Sequence, residues 1–162
     1  MTNNLDTTII IPAKNEAKNL KILIPNIYRV LNGHLDEFNV FVLNHNSEDD
    51  SDLILKELKT KYSSLKYVNI NNPNIPLGSC LIHAIKSVSS HYLITMDGDL
   101  SHLAIHLHDF IDAFSAGHDV VIGGRYKNGQ AAFDPKKRYL ISKIFNRTIK
   151  IVYHSSFSYF TT

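Results

Sequence analysis

Two aspartates one residue apart, Asp97 and Asp99 in "MDGDLSH", follow the apolar run "YLITM". Carboxylates at such spacing repel one another unless a cation lies beside them. Hard divalent ions such as Mg²⁺ or Mn²⁺ take oxygen ligands and commonly combine one or two carboxylates with substrate phosphates. Gly98 between them is read as the residue that permits a sharp turn, so that both side chains face one cleft. A solvated Asp-Gly turn capping the next helix is the plainer alternative. Position decides between them: the pair ends a strand, where the ligands of parallel α/β sheets gather.

The elements that must position this pair alternate regularly. Strands are predicted over 7–12, 39–44, 66–70, 92–96 and 119–124. Helices are predicted over 16–31, 78–88, 103–114 and 139–153 from the spacing of their apolar residues, and another is capped by "SEDDSD" with Ile54, Leu55, Leu58 and Tyr62 on one face. Pro25 falls inside the first helix, where it costs ~3 kcal/mol unless the helix kinks or restarts. Repeated βα units imply an α/β fold with a mostly parallel sheet and helices on both faces. The segments "AKNE", "NHNS", "DGD" and "GGRY" then converge beyond the carboxyl ends of the strands.

The 162 residues suffice for one domain with a real core, and 44% hydrophobic with 20% charged residues is a globular balance. No apolar run approaches the ~20 residues of a membrane span. "MTNNLDTTIIIP" has no basic region and too short an apolar run for a signal peptide, and Cys80 is the single cysteine. A cytoplasmic location is therefore expected. Charge is split unevenly. Residues 1–134 hold eleven basic and fifteen acidic residues, net −4, whereas 135–162 hold six basic residues and no acid, +6. The second segment is expected to meet an anionic partner such as a phosphate or a lipid surface. It lacks the motifs and interleaved aromatics of nucleic-acid binders. The apolar stripe Leu140, Ile141, Ile144, Phe145, Ile149 and Val152 beside Lys143, Arg147 and Lys150 reads either as core or as a face lying on a bilayer. Cys80 reads as a packed thiol, and Asp109 and Asp112 as a solvated helix face. His102 and His106 have zinc-binding spacing but no evident third ligand.

Taken in order, "IIIPAKNEAKNL", "MDGDLSH", "DVVIGGRY" and "KKRYLISKIFN" resemble family 2 glycosyltransferases of GT-A (Rossmann-like) fold, nearest to the dolichyl- or polyprenyl-phosphate mannosyltransferase branch. The resemblance runs from about Thr8 to Asn146. It implies that Pro12, Lys14 and Glu16 line a nucleotide pocket, that Asp97, Gly98 and Asp99 bind the nucleotide sugar, and that Asp97, Asp99 and Ser101 hold Mg²⁺ or Mn²⁺. It implies that Arg125 and Arg138 grip phosphates, so that Asp99, Arg125 and Arg138 carry the catalysis. Residues 1–134 would form the nucleotide-sugar-binding core and 135–162 a basic amphipathic segment.

The implied reaction is inverting transfer of a sugar, best read as mannose from GDP-mannose with UDP-sugars as alternatives, to a polyprenyl or dolichyl phosphate at the cytoplasmic face of a membrane. A soluble family 2 enzyme with another acceptor, and a non-catalytic nucleotide-sugar-binding remnant, are the other readings. Two segments depart from the family pattern. Where the family commonly has D-D-G-S, this chain has "NHNS", which puts Asn44 at a base-reading position. "PLGSC" keeps Leu77 and Gly78 of G-L-G-x-A but has Pro76 and Cys80. The family continues beyond "SYFTT" with a T-S-G-F-R-like segment, so a shortened site with slow turnover is expected.

Overall fold

A computed structural model describes residues 5–123. The chain divides into two units at Asp119/Val120, and the elements below belong to the first. They follow in the order β1 (Thr7–Ala13), α1 (Ala17–Leu31), β2 (Phe38–His45), α2 (Ser51–Lys61), β3 (Leu65–Ile70), α3 (Leu77–Ser87), β4 (Tyr92–Thr95), a 3₁₀ turn (Ala104–His106) and α4 (Leu107–Ser115). The four strands form one parallel sheet in the order β3-β2-β1-β4.

Strand pleating explains the layers. Ile10 and Leu43 face α3 and pack with Cys80 and Ala84, while Phe41 and Leu93 border this cluster. Their neighbours Ile9, Ile11, Val40 and Val42 point to the other face and are wholly buried. The α1 helix packs against α2 and α4. Both faces are therefore covered, as a parallel sheet requires.

The α1 helix runs through Pro25 without a break. Proline removes one backbone hydrogen bond there. Leu20, Leu23, Ile24, Ile27 and Leu31 are all nearly inaccessible, and each fully buried side chain of this kind contributes roughly 1.5–3 kcal/mol. That sum exceeds the cost of the proline, so no restart is needed. Cys80 is buried, as read from the sequence.

The fifth predicted strand is not formed over its described residues. Residues 119–123 carry no strand, and Val120 and Ile122 are 79% and 67% exposed. Their β-propensity finds no pairing partner among the described residues, and propensity alone does not make a strand. The basic helix predicted over 139–153 lies outside the described residues.

Candidate functional site

The sheet changes direction at β1. The β2 and β3 strands lie to one side of it and β4 to the other. The crevice beyond the carboxyl ends of β1 and β4 is where such a sheet takes its ligands, and Asp97–Asp99 sit there. Met96 N–H still bonds Ile10 O at 3.1 Å, continuing the β1–β4 pairing up to the aspartates. Gly98 is then pressed onto β1. A Cβ placed on it would stand 3.3 Å from Pro12 O and 3.4 Å from Ala13 Cβ.

The reason for the glycine thus differs from the sequence reading. Gly98 is outside the left-handed region, and the residue that turns the chain is Leu100, at φ 63°. A bulky residue in that conformation is strained, by about 1–3 kcal/mol, and such strain gathers at functional sites.

Both aspartates are exposed to solvent. Asp99 Oδ1 accepts the Ser101 N–H at 2.9 Å. Partial burial pushes the Asp99 carboxyl up, but hydrogen bonds from Ser101 and the nearby His102 outweigh it and hold the group below the usual carboxylate range. Asp97 N–H donates to His102 Nδ1 at 3.3 Å, which turns this ring toward the aspartate loop. His106 instead lies 3.5 Å from Asp109. Asp97, Asp99 and Ser101 offer oxygens of the kind a hard divalent cation takes, while among the described residues no group of three or more His, Cys, Asp or Glu is gathered to hold one.

The segment after β1 carries the other expected contacts. Pro12 and Glu16 are half-buried and Lys14 is exposed. Asn15 between them is left-handed, at φ 58°. The loop after β2 holds this segment in place. Asn15 N–H donates to Ser47 Oγ at 2.9 Å, and Glu48 N–H donates to Asn15 Oδ1 at 2.8 Å. The first N–H groups of a helix have no partners within it. Here Glu16 N–H bonds Ser51 Oγ at 3.1 Å and Ala17 N–H bonds Asp49 Oδ2 at 3.0 Å, so α1 is capped by the loop after β2 and the first residue of α2. Burial raises the Asp49 carboxyl, but its bonds from Ser51 and Ala17 win and lower it.

Asn44 is at the same sheet edge but does not face the crevice. It is 4% exposed. Its Oδ1 accepts from Ser47 Oγ at 2.6 Å and its Nδ2 donates to Asn69 Oδ1 at 2.8 Å. Asn44, expected at the base, thus spends one N–H and its oxygen on partners inside the protein. The alternation Val40, Val42, Asn44 was the signal for this, since period two assigns all three to one buried face. Asn15 and Asn69 went unread. Asn next to Glu in "AKNE" was the available sign for the first, because Asn tolerates the left-handed conformation; nothing marked the second. Pro12, Lys14, Glu16, Asp97, Gly98, Asp99 and Ser101 are brought to the sheet's carboxyl edge. Arg125 and Arg138 lie outside the described residues.

Comparison with known proteins identifies the family and the fold. A model of the family described as "Glycosyl transferase family 2" matches residues 8–161. A dolichol-phosphate mannosyltransferase of Pyrococcus furiosus is 32% identical over 140 residues, which are 86% of this chain and 39% of the relative. Among solved structures, a mannosyltransferase from Pyrobaculum calidifontis in complex with GDP-Man and Mn²⁺ superposes with a TM-score of 0.51 at 21% identity. It covers 57% of this chain and 27% of the other. Glucosyl-3-phosphoglycerate synthase from Mycobacterium tuberculosis, in complex with Mn²⁺, UDP and phosphoglyceric acid, superposes with a TM-score of 0.50 at 19% identity, over 68% and 39% of the two chains. The chain spans less than half the length of the curated relatives it matches.

Proposed function

This chain belongs to glycosyl transferase family 2, and from that premise we propose that it binds a nucleotide sugar in the β1/β4 crevice and serves transfer of the sugar to a phosphate-bearing acceptor. The observation that carries the reading is the pair Asp97 and Asp99, exposed side by side at the end of β4 and seated against Pro12 through Gly98. Asp97 and Asp99, with Ser101 beside them, would hold Mg²⁺ or Mn²⁺. Such an ion, when bound, offsets the charge that builds on a leaving diphosphate.

The chain's own groups do the rest. Asp99 stays ionised and so remains a ligand oxygen. Pro12, Lys14 and Glu16, on the segment fixed by Ser47, Asp49 and Ser51, line the nucleotide side. Arg125 and Arg138 would grip phosphates with a guanidinium fork suited to their oxygens. An acceptor phosphate oxygen attacks the anomeric carbon as the bond to the diphosphate breaks, which inverts the centre. Being an anion already, this acceptor needs no strong general base. GDP-mannose is the preferred donor and a polyprenyl or dolichyl phosphate the preferred acceptor, because the Pyrococcus relative is named a dolichol-phosphate mannosyltransferase and the Pyrobaculum structure holds GDP-Man. Residues 135–162 would bring the chain to the cytoplasmic face of a membrane by charge. Among the described residues no helix is long and apolar enough to cross one.

The neutral, inward-bound Asn44 favours a second reading, a module that binds nucleotide sugar without turnover. Calorimetry of the chain against GDP-mannose and UDP-sugars, with and without Mn²⁺, tests the first part of both readings. Transfer of labelled mannose to polyprenyl phosphate separates them. Absence of Mn²⁺-dependent binding to any of these donors would refute both.

A further inference from the structure

We infer that Asp52 and Asn69, outside the crevice, are positioning residues that set the direction of a hydrogen-bond relay ending at Asn15; its relevance to ligand binding rests on the function proposed above. The relay begins on α2. Lys56 Nζ donates to Asp52 Oδ2 at 2.6 Å, and Asn69 Nδ2 donates to Asp52 Oδ1 at 2.6 Å. A carboxylate only accepts, so Asn69 must turn its NH₂ toward Asp52 and its oxygen the other way. That oxygen accepts from Asn44 Nδ2 at 2.8 Å, which leaves Asn44 Oδ1 to accept from Ser47 Oγ at 2.6 Å. Ser47 Oγ, its one proton given to Asn44, accepts the Asn15 N–H at 2.9 Å on a lone pair. Asn15 Oδ1 closes the chain by accepting the Glu48 N–H at 2.8 Å.

The charge on Asp52 sets how the Asn69 and Asn44 amides are turned, whereas the two bonds at Asn15 come from backbone N–H groups, which only donate. The middle link is part-buried, between an Asn44 that is 4% exposed and an exposed Asn69, so a mismatch is felt on the Asn44 side, where water has little access. The end link lies in tight turns: Asn15 and Asn46 are left-handed, at φ 58° and 50°, a conformation Asn tolerates, on the two loops the relay joins. This accounts for a neutral Asn44. A carboxylate at this position would meet Asn69 Oδ1, and Asn69 could serve it only by turning its own oxygen against Asp52.

The test is a reversal of the relay. In Asn44→Asp, binding of GDP-mannose with Mn²⁺ is expected to weaken about tenfold, and exchange of the Asn15 and Glu48 amide protons to speed up by a similar factor. Asp52→Asn alone is expected to leave both nearly unchanged, since an amide oxygen can still accept from Asn69. The double variant Asn44→Asp/Asp52→Asn lets the whole chain run with Asn69 flipped, and it is expected to regain most of both losses. A general loss of stability would not be mended by a second substitution on another element. Asn69→Leu, at an exposed position that should not prevent folding, leaves Asn44 Nδ2 without an acceptor and is expected to loosen the same two amides. A double variant no better than Asn44→Asp, or unchanged amide exchange in Asn69→Leu, overturns the relay. If the wild type binds no nucleotide sugar, the proposed function fails, while amide exchange still decides for or against the relay.

Discussion

Gly98 is seated against Pro12 at the end of β1 with little room for a side chain: a Cβ on Gly98 would lie a tight 3.3 Å from the Pro12 carbonyl oxygen and 3.4 Å from Ala13 Cβ. Both contacts are to the end of a central strand, which cannot swing aside as a long side chain can. The added methyl in Gly98→Ala must therefore move the aspartate loop by a few tenths of an ångström, at a cost of about 1 kcal/mol. The variant is expected to fold, to melt a few degrees lower, and to bind GDP-mannose with Mn²⁺ several-fold more weakly. Unchanged calorimetry would mean that the loop has slack and that the seat on β1 does not set the geometry of the pair.

Asp99→Asn keeps the shape of the side chain and removes its charge. The backbone bond from Ser101 can still form, because the amide oxygen accepts as the carboxylate did. Mn²⁺-dependent nucleotide binding should fall by about tenfold or more, since hard cations take carboxylate far better than amide oxygen, while the melting temperature stays within a few degrees. EDTA should reduce wild-type binding to the level of the variant. Equal binding with and without EDTA would remove the metal from the proposal.

Asp49 acts on the fold through α1. It lies on the loop after β2 and takes the Ala17 N–H at 3.0 Å, so Asp49→Ala leaves the start of α1 without its cap and is expected to cost about 1 kcal/mol. The effect has a pH signature. Burial raises the Asp49 carboxyl, but the Ser51 and Ala17 bonds outweigh it and the folded-state value is lowered. The unfolded chain then binds this proton more readily than the folded one, so the stabilisation is complete above the ordinary aspartate range and is lost as pH falls through the lowered value. Urea melts of wild type and variant should differ at pH 7 and converge in acid. A gap that does not shrink as the pH falls would show that the carboxylate charge is not what caps the helix.

What the sequence made legible follows from the physics of each segment. "TTIIIP" reads correctly because a β-branched run buried on both faces needs no alternation, and α1 because Leu20, Leu23, Ile24, Ile27 and Leu31 recur at helical spacing. The placing of "AKNE", "NHNS" and "DGD" at one sheet edge follows from the βα alternation alone. Local chemistry was less readable. Asn44 was assigned by family position to a ligand, whereas the period-two pattern of β2 assigns it to the interior. Gly98 read as a turn, but its role is clearance against Pro12 and the turn belongs to Leu100, a residue type with no such preference. The relay through Asn69 depends on the register Asn44↔Asn69 between β2 and β3, which no single segment encodes.

The uneven charge of the chain gives the last prediction. Lys136, Lys137, Arg138, Lys143, Arg147 and Lys150 follow Asp134 with no acidic residue among them. Each basic residue near an anionic lipid surface contributes ~1 kcal/mol. Few such contacts hold a protein to a vesicle, particularly if the stripe from Leu140 to Val152 adds apolar contact. The chain is expected to sediment with vesicles containing phosphatidylserine, to stay in solution with neutral phosphatidylcholine vesicles, and to be released as salt rises, because attraction at a surface is screened over roughly 10 Å at 0.1 M salt. Replacing Lys143, Arg147 and Lys150 with Gln should abolish sedimentation while leaving Mn²⁺-dependent binding of GDP-mannose unchanged, since none of the three is placed in the crevice. Sedimentation that ignores both salt and these substitutions would assign the attraction to another surface, and its absence from anionic vesicles at low salt would return the segment to an ordinary structural role.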